Sequence, residues 1–73
     1  MTASDCREQQ FRNIILNIQK AIKKEVETGS SNCIFYEDLY RFYPRRDEVL
    51  DYFKKDGFRI YPDLNTSRIE IRW

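Results

Sequence analysis

The chain has 73 residues, which is one domain near the lower size limit for an independent core. Thirteen basic residues face twelve acidic ones and histidine is absent, so the net charge is only +1 at pH 7. This balance argues against a general affinity for polyanions but leaves a local basic face open. Aromatic residues make up 15% of the chain. Together with the lack of an evident staple, they favour a homo-oligomer or a partner-bound subunit.

The two cysteines, Cys6 and Cys33, are too few for the four ligands of a structural zinc site. The N-terminus shows no apolar run followed by a small-residue cleavage site, and the longest apolar run is Ile14-Ile15-Leu16. These features predict reduced thiols, no transmembrane helix and an intracellular protein.

The first predicted element is a long amphipathic helix over residues 5–28, which Thr2 or Ser4 is placed to cap. Its apolar residues step by three or four along one face: Phe11, Ile14, Ile15, Ile18, Ile22 and Val26. The helix would be about 35 Å long, in a domain about 25 Å across. The stripe can therefore cover a sheet or reach another chain. On the second hypothesis Ile14, Ile18 and Ile22 are interface residues.

The middle of the chain predicts a strand and two helical segments. Gly29 suits the left-handed position that ends the first helix. Residues 33–36 combine a β-branched residue with aromatics and predict a strand. The spacing over 37–43 predicts one or two helical turns. A further helix follows over about 44–56, opened by its proline and ended by Gly57.

The C-terminal residues predict a β-hairpin around a turn at 62–67. Phe58 and Ile60 point to one side and Arg59 and Tyr61 to the other, and apolar residues alternate with charged ones over 68–73. This pattern predicts that Trp73 is largely buried. The element order predicts a single α+β domain over 1–73, with a three-stranded sheet and helices on its dry face. It is also the element order of a winged-helix domain.

The sequence shows no pattern typical of an enzyme. It has no histidine, no glycine-rich phosphate loop, no nucleophile motif and no ligand-spaced cysteine set. The acidic pairs lie at predicted helix starts, where the helix dipole favours them. We therefore expect no catalytic site, no metal and no cofactor.

Three binding hypotheses stay open. A protein-interaction module, binding a protein partner or itself, would use aromatic residues and the helix stripe: Tyr36, Tyr40 and Tyr43 with Ile14, Ile18 and Ile22. A winged-helix nucleic-acid binder would use basic residues of the helix-turn-helix over 37–55 and of the wing: Arg41, Arg45, Arg46, Arg59, Arg68 and Arg72. The acids of that helix count against it. A small nucleotide could also bind the tyrosine and arginine surface.

The segment Gly57-Phe58-Arg59-Ile60, followed by the terminal Ile69-Glu70-Ile71-Arg72-Trp73, resembles a class of very small phage and viral proteins. In these a glycine–aromatic–x–aliphatic strand pairs with a terminal strand that ends in tryptophan. Here the ending is Ile-Arg-Trp rather than Ile-Ser-Trp, and residues 40–46 depart from the pattern. The resemblance implies a virus-encoded accessory or structural protein, in the host cytoplasm or the virion, and no site residues.

Overall fold

The computed structural model describes residues 1–36, 43–63 and 68–73, with Tyr36 described by its backbone alone. Within these residues the element order is α1 (Ala3–Glu27), β1 (Asn32–Tyr36), α2 (Arg46–Lys55), β2 (Arg59–Asp63) and β3 (Arg68–Arg72). The predicted α+β class is confirmed, with a long N-terminal helix, a second helix and a three-stranded antiparallel sheet. Residues 37–42 of the predicted helical turns and residues 64–67 of the predicted turn lie outside the described residues.

Helix α1 begins at a capping box formed by Thr2 and Asp5. The Asp5 amide donates to the Thr2 hydroxyl at 3.1 Å, and the Thr2 amide donates to the Asp5 carboxylate at 3.0 Å. Two backbone donors that no helical carbonyl reaches are thereby satisfied. The same bonds hold the pKa of Asp5 below its usual value. At the other end Gly29 has a φ of 86°, the left-handed conformation that ends many helices and that glycine adopts at little cost.

The sheet has the strand order β1-β3-β2, so the central strand β3 pairs with both neighbours. The inner face is built from two rows of apolar register partners: Cys33–Ile71–Ile60 and Phe35–Ile69–Pro62. Helix α1 packs on β1 and helix α2 on β2. Because side chains alternate across a strand, both helices cover this one face and leave the opposite face to solvent.

The predicted apolar stripe of α1 packs into the core of the chain itself. Its isoleucines are all buried: Ile14, Ile15, Ile18 and Ile22. They form one cluster with apolar side chains of α2 and the sheet. This burial corrects the prediction that Ile14, Ile18 and Ile22 bind a second chain, because the chain's own elements already enclose them. Val26, the last residue of the stripe, is 52% exposed.

Helix α2 also contributes to the core, through Val49, Leu50 and Phe53. Trp73 differs from its prediction, since 37% of the residue remains exposed. It follows the last register pair of β3 and therefore lies at the end of the sheet. Its ring meets the ring of Phe58 edge-on, with 6.2 Å between the centroids. The alternation of apolar and charged residues predicts the correct face for Trp73. It does not show that the core ends before this residue.

We expect Ile18→Ala to lower the free energy of unfolding by about 2–5 kcal/mol, the range for truncating a buried isoleucine. Leu16→Ala is the matched control on the same helix. Leu16 is 50% exposed, so its truncation should change stability by no more than about 0.5 kcal/mol. Urea unfolding followed by circular dichroism measures both variants. Equal losses at the two positions would contradict the packing of the stripe into the core.

Candidate functional site

The face of the sheet opposite the helices combines charged, aromatic and apolar side chains. We call it the outer sheet face, and its described members are Asn32, Ile34, Arg59, Tyr61, Asp63, Arg68, Glu70 and Arg72. Cross-strand register places Ile34, Glu70 and Tyr61 in one row across the three strands. Ile34 is 41% exposed and Tyr61 is 48% exposed. Two large side chains therefore stand in solvent on either side of a carboxylate.

Glu70 is the centre of a hydrogen-bond network on this face. Its Oε2 atom accepts from Nε of Arg72 at 2.9 Å and from Nδ2 of Asn32 at 3.2 Å. The bond from Arg72, followed by that from Asn32, holds the pKa of Glu70 below its usual value, and the charge of Arg68 adds to this effect. The carboxylate is thus ionised at neutral pH and fixes one of the arginines.

The structure brings together the three arginines that the sequence assigns to the wing. Arg59 and Arg72 are register partners on neighbouring strands. The guanidinium carbon of Arg72 lies 5.3 Å from the ring centroid of Tyr61, a cation–π contact. Arg59 and Arg68 form no ion pair with another described residue. Both side chains are exposed, and Arg68 lies opposite Asp63 in the register.

Arg45 has a different role from the one predicted at the start of a recognition helix. Its Nη1 atom lies 2.9 Å from a carboxylate oxygen of Glu8, and its Nη2 atom lies 2.6 Å from one of Glu48. Its guanidinium carbon is 4.0 Å from the ring centroid of Phe11. The side chain therefore links α1 to the start of α2, and its charge is already neutralised by two carboxylates.

The exposed surface of α2 has charges of both signs. Nη2 of Arg46 lies 3.6 Å from a carboxylate oxygen of Asp47. The exposed charged residues of α2 and of the residue that caps its end are Asp47, Glu48, Asp51, Lys54, Lys55 and Asp56. The remaining predicted basic residue, Arg41, lies outside the described residues. Carboxylates next to each base leave this helix without the excess of positive charge that a polyanion ligand requires.

The predicted interface tyrosines are placed differently from one another. Tyr43 is 7% exposed and belongs to the core, which corrects its prediction as an interface residue. Its hydroxyl has no hydrogen-bond partner among the described residues, and desolvation raises its pKa. Tyr40 and the side chain of Tyr36 lie outside the described residues, so their roles stay predictions. The small-nucleotide hypothesis depends on the same segment and also stays a prediction.

A shallow groove between α1 and α2 is a second feature of the surface. Its volume is about 260 Å³, and it is lined by Phe11, Arg12, Ile15, Leu16, Gln19 and Tyr52. Nε2 of Gln19 donates to the hydroxyl of Tyr52 at 3.4 Å across it. Pockets that enclose small molecules measure about 300–1,000 Å³, so this groove is small for such a ligand. In the sequence, this groove is indicated by Leu16, an apolar residue of α1 that lies outside the apolar stripe.

Sequence reasoning did not single out Ile34, the apolar member of the outer sheet face. Its signal lies in the alternation of β1. Once Cys33 and Phe35 face the core, Ile34 must face the opposite side, where it is 41% exposed. Tyr61 was placed on the outward side of the hairpin, and the structure adds that Arg72 packs against its ring.

Within the described part of the chain, no group of three or more cysteine, aspartate or glutamate side chains is arranged to hold a metal ion. No helix in that part combines the length and apolar character that a membrane span requires. Cys6 is an exposed thiol, and Cys33 is a buried one whose pKa is raised by burial and by the nearby Glu25. The chain has no match among protein-family models, curated proteins or solved structures. Its resemblance to small phage and viral proteins stays a prediction.

We expect Glu70→Gln to lower the free energy of unfolding at pH 7 and to have a smaller effect in acid. A carboxylate whose folded pKa is depressed contributes stability above its unfolded pKa of about 4.3. That contribution is lost as the pH falls through the lower folded pKa. Urea unfolding of both proteins at pH 7 and at about pH 3 measures the difference. A loss that is unchanged or larger in acid would contradict the network around Glu70.

Proposed function

We propose that the chain is a non-enzymatic protein-interaction module that binds its partner through the outer sheet face. The observation that carries the proposal is the exposed pair Ile34 and Tyr61 on either side of Glu70, among three arginines. Tyrosine and arginine are enriched among the residues that dominate protein interfaces. A sheet face also suits a protein surface, whereas a small molecule requires a concave site.

The charge of the outer sheet face favours a protein over a nucleic acid. Glu70 lies ionised at its centre and occupies Arg72 at 2.9 Å. A phosphate backbone that crossed the face would pass over this carboxylate. Affinity for nucleic acids depends on basic side chains that neutralise successive phosphates, and an acid in the middle of the surface opposes it. A protein partner can instead place a donor or an apolar group there.

The arrangement also defines the chemistry of the partner. Ile34 and Tyr61 offer two separate contacts for apolar groups on either side of Glu70, while Arg59 and Arg68 lie in the neighbouring rows. Arginine binds carboxylates through two parallel hydrogen bonds. The partner that fits is therefore a protein segment with an aromatic or aliphatic side chain flanked by aspartate or glutamate.

A library of random displayed peptides, selected against the folded protein, tests this proposal. We expect the enriched peptides to combine carboxylates with aromatic or aliphatic residues. Tyr61→Ala should raise their dissociation constant at least about tenfold, which is the loss of a moderate interface hot spot. Lys23→Ala, on the exposed side of α1, is the control and should leave binding unchanged. Isothermal titration calorimetry measures both variants.

Two results would count against the proposal. Peptide binding that survives Tyr61→Ala but is lost on Tyr52→Ala would move the interface to the groove between the helices. A selection without enriched peptides, combined with tight oligonucleotide binding, would favour a nucleic-acid ligand.

A winged-helix nucleic-acid-binding protein is the second candidate. Two observations favour it: the order of the described elements, and the position of Arg59, Arg68 and Arg72 on one face of the hairpin. Because Arg45 is held by two carboxylates, phosphate contacts in this role would come from the hairpin rather than from the start of α2.

For this candidate we expect a duplex oligonucleotide to bind in a strongly salt-dependent manner. Replacing Arg59 and Arg68 together by alanine should reduce the slope of log K against log salt by about 2, since each lost phosphate contact removes about 0.9. Arg45→Ala, which removes a side chain already paired with carboxylates, should leave the slope unchanged. Fluorescence anisotropy measures the slopes, and no binding of duplex or single strand at low salt would remove this candidate.

A further inference from the structure

The two ends of the outer sheet face differ in charge. At one end, cross-strand register places Asn32, Arg72 and Arg59 in one row. At the other end, Arg68 lies opposite Asp63 in the pairing of β2 with β3. Opposite charges in facing positions of an antiparallel pair stabilise a sheet, and like charges destabilise it. One end of the face therefore places a base opposite an acid, whereas the other places two bases side by side.

Arg59 is the base that the fold leaves without a counter-charge. Its side chain is exposed, and no ion pair connects it to any residue that the structure describes. Its register partner is Arg72, and facing residues of an antiparallel pair begin about 5 Å apart at their Cβ atoms. The two arginines carry two positive charges, and Glu70 in the next row supplies one negative charge. This end of the face therefore keeps an excess of positive charge.

Arg72 is held in place while part of its guanidinium group stays without a partner. Its Nε atom donates to Glu70 at 2.9 Å, and its guanidinium carbon lies 5.3 Å from the ring centroid of Tyr61. Contacts among the described residues leave its Nη1 and Nη2 atoms unpartnered, and half of the side chain is exposed. A guanidinium group that is fixed in this way loses little further freedom when its remaining N–H groups bind a ligand.

We propose that the row of Asn32, Arg72 and Arg59 is the subsite for a carboxylate of the protein partner, with the two arginines as its donors. The inference rests on the proposed protein-binding function, and it assigns the partner's acid to one end of the face. Arginine binds carboxylates through two parallel hydrogen bonds. A bound carboxylate would also offset the repulsion between the two guanidinium groups. At the opposite end, the negative charge of Asp63 opposes a further acid.

The spacing of the rows defines the motif of the partner. Neighbouring rows of the outer sheet face lie two residues apart along each strand, which is about 7 Å. The row next to the subsite contains Ile34 and Tyr61. In an extended segment that follows the strands, side chains two positions apart point to the same side. The expected motif is therefore an apolar residue and an aspartate or glutamate two positions apart, with no acid required on the other side.

Two blocked tripeptides test the subsite: acetyl-Phe-Ser-Asp-amide and its neutral match, acetyl-Phe-Ser-Asn-amide. We expect the acidic peptide to bind at least about tenfold more tightly, because charge-assisted hydrogen bonds are the stronger ones. Titration followed by two-dimensional amide NMR measures both dissociation constants and should show the largest shifts at Arg59 and Arg72. Equal binding of the two peptides that is lost on Tyr61→Ala would overturn the subsite and leave the proposed function intact. Binding of neither peptide would also overturn the subsite, and the peptide selection then decides the proposed function.

Arg59→Gln and Arg68→Gln form a matched pair, because each removes one exposed arginine from the same face of the hairpin. Arg59→Gln should raise the dissociation constant of the acidic peptide about tenfold and leave that of the neutral peptide unchanged, whereas Arg68→Gln should change neither. The Arg59→Gln protein should also keep or raise its midpoint of urea unfolding, since a like-charge contact is removed. A lowered midpoint, or an equal or larger effect of Arg68→Gln on binding, would contradict the proposal.

Discussion

The structure depends on the burial of one apolar sheet face beneath a long helix. A chain of this size buries only about 60% of its unfolded surface, so it can maintain a single core. Helix α1 supplies Ile14, Ile15, Ile18 and Ile22 to that core, and β3 supplies Ile69 and Ile71. Once both helices cover the inner face, the apolar side chains of the outer sheet face are left outside the core. Ile34 and Tyr61 are exposed on that face, and they carry the proposal of a protein-binding surface.

The same division separates the arginines into two groups. Arg45 and Arg72 are engaged by carboxylates and aromatic rings, so their charges serve the fold. Arg59 and Arg68 lie exposed on the hairpin without an ion pair to another described residue. Composition treats all four alike. The contacts of each side chain show which charges can act on a ligand. They place the basic surface on the outer sheet face rather than at the start of α2.

The periodicity of the sequence predicts the helices and strands, but it does not predict which surface packs against them. The 3.6-residue period identified α1, the period of two identified the hairpin, and Gly29 and Gly57 marked the helix ends. The pattern showed that Ile18 faces an apolar environment, but it could not distinguish the chain's own sheet from a second chain. Arg45 illustrates the same limit, since its partner Glu8 lies 37 positions away in the sequence. Such pairs arise from tertiary packing, which local patterns do not encode.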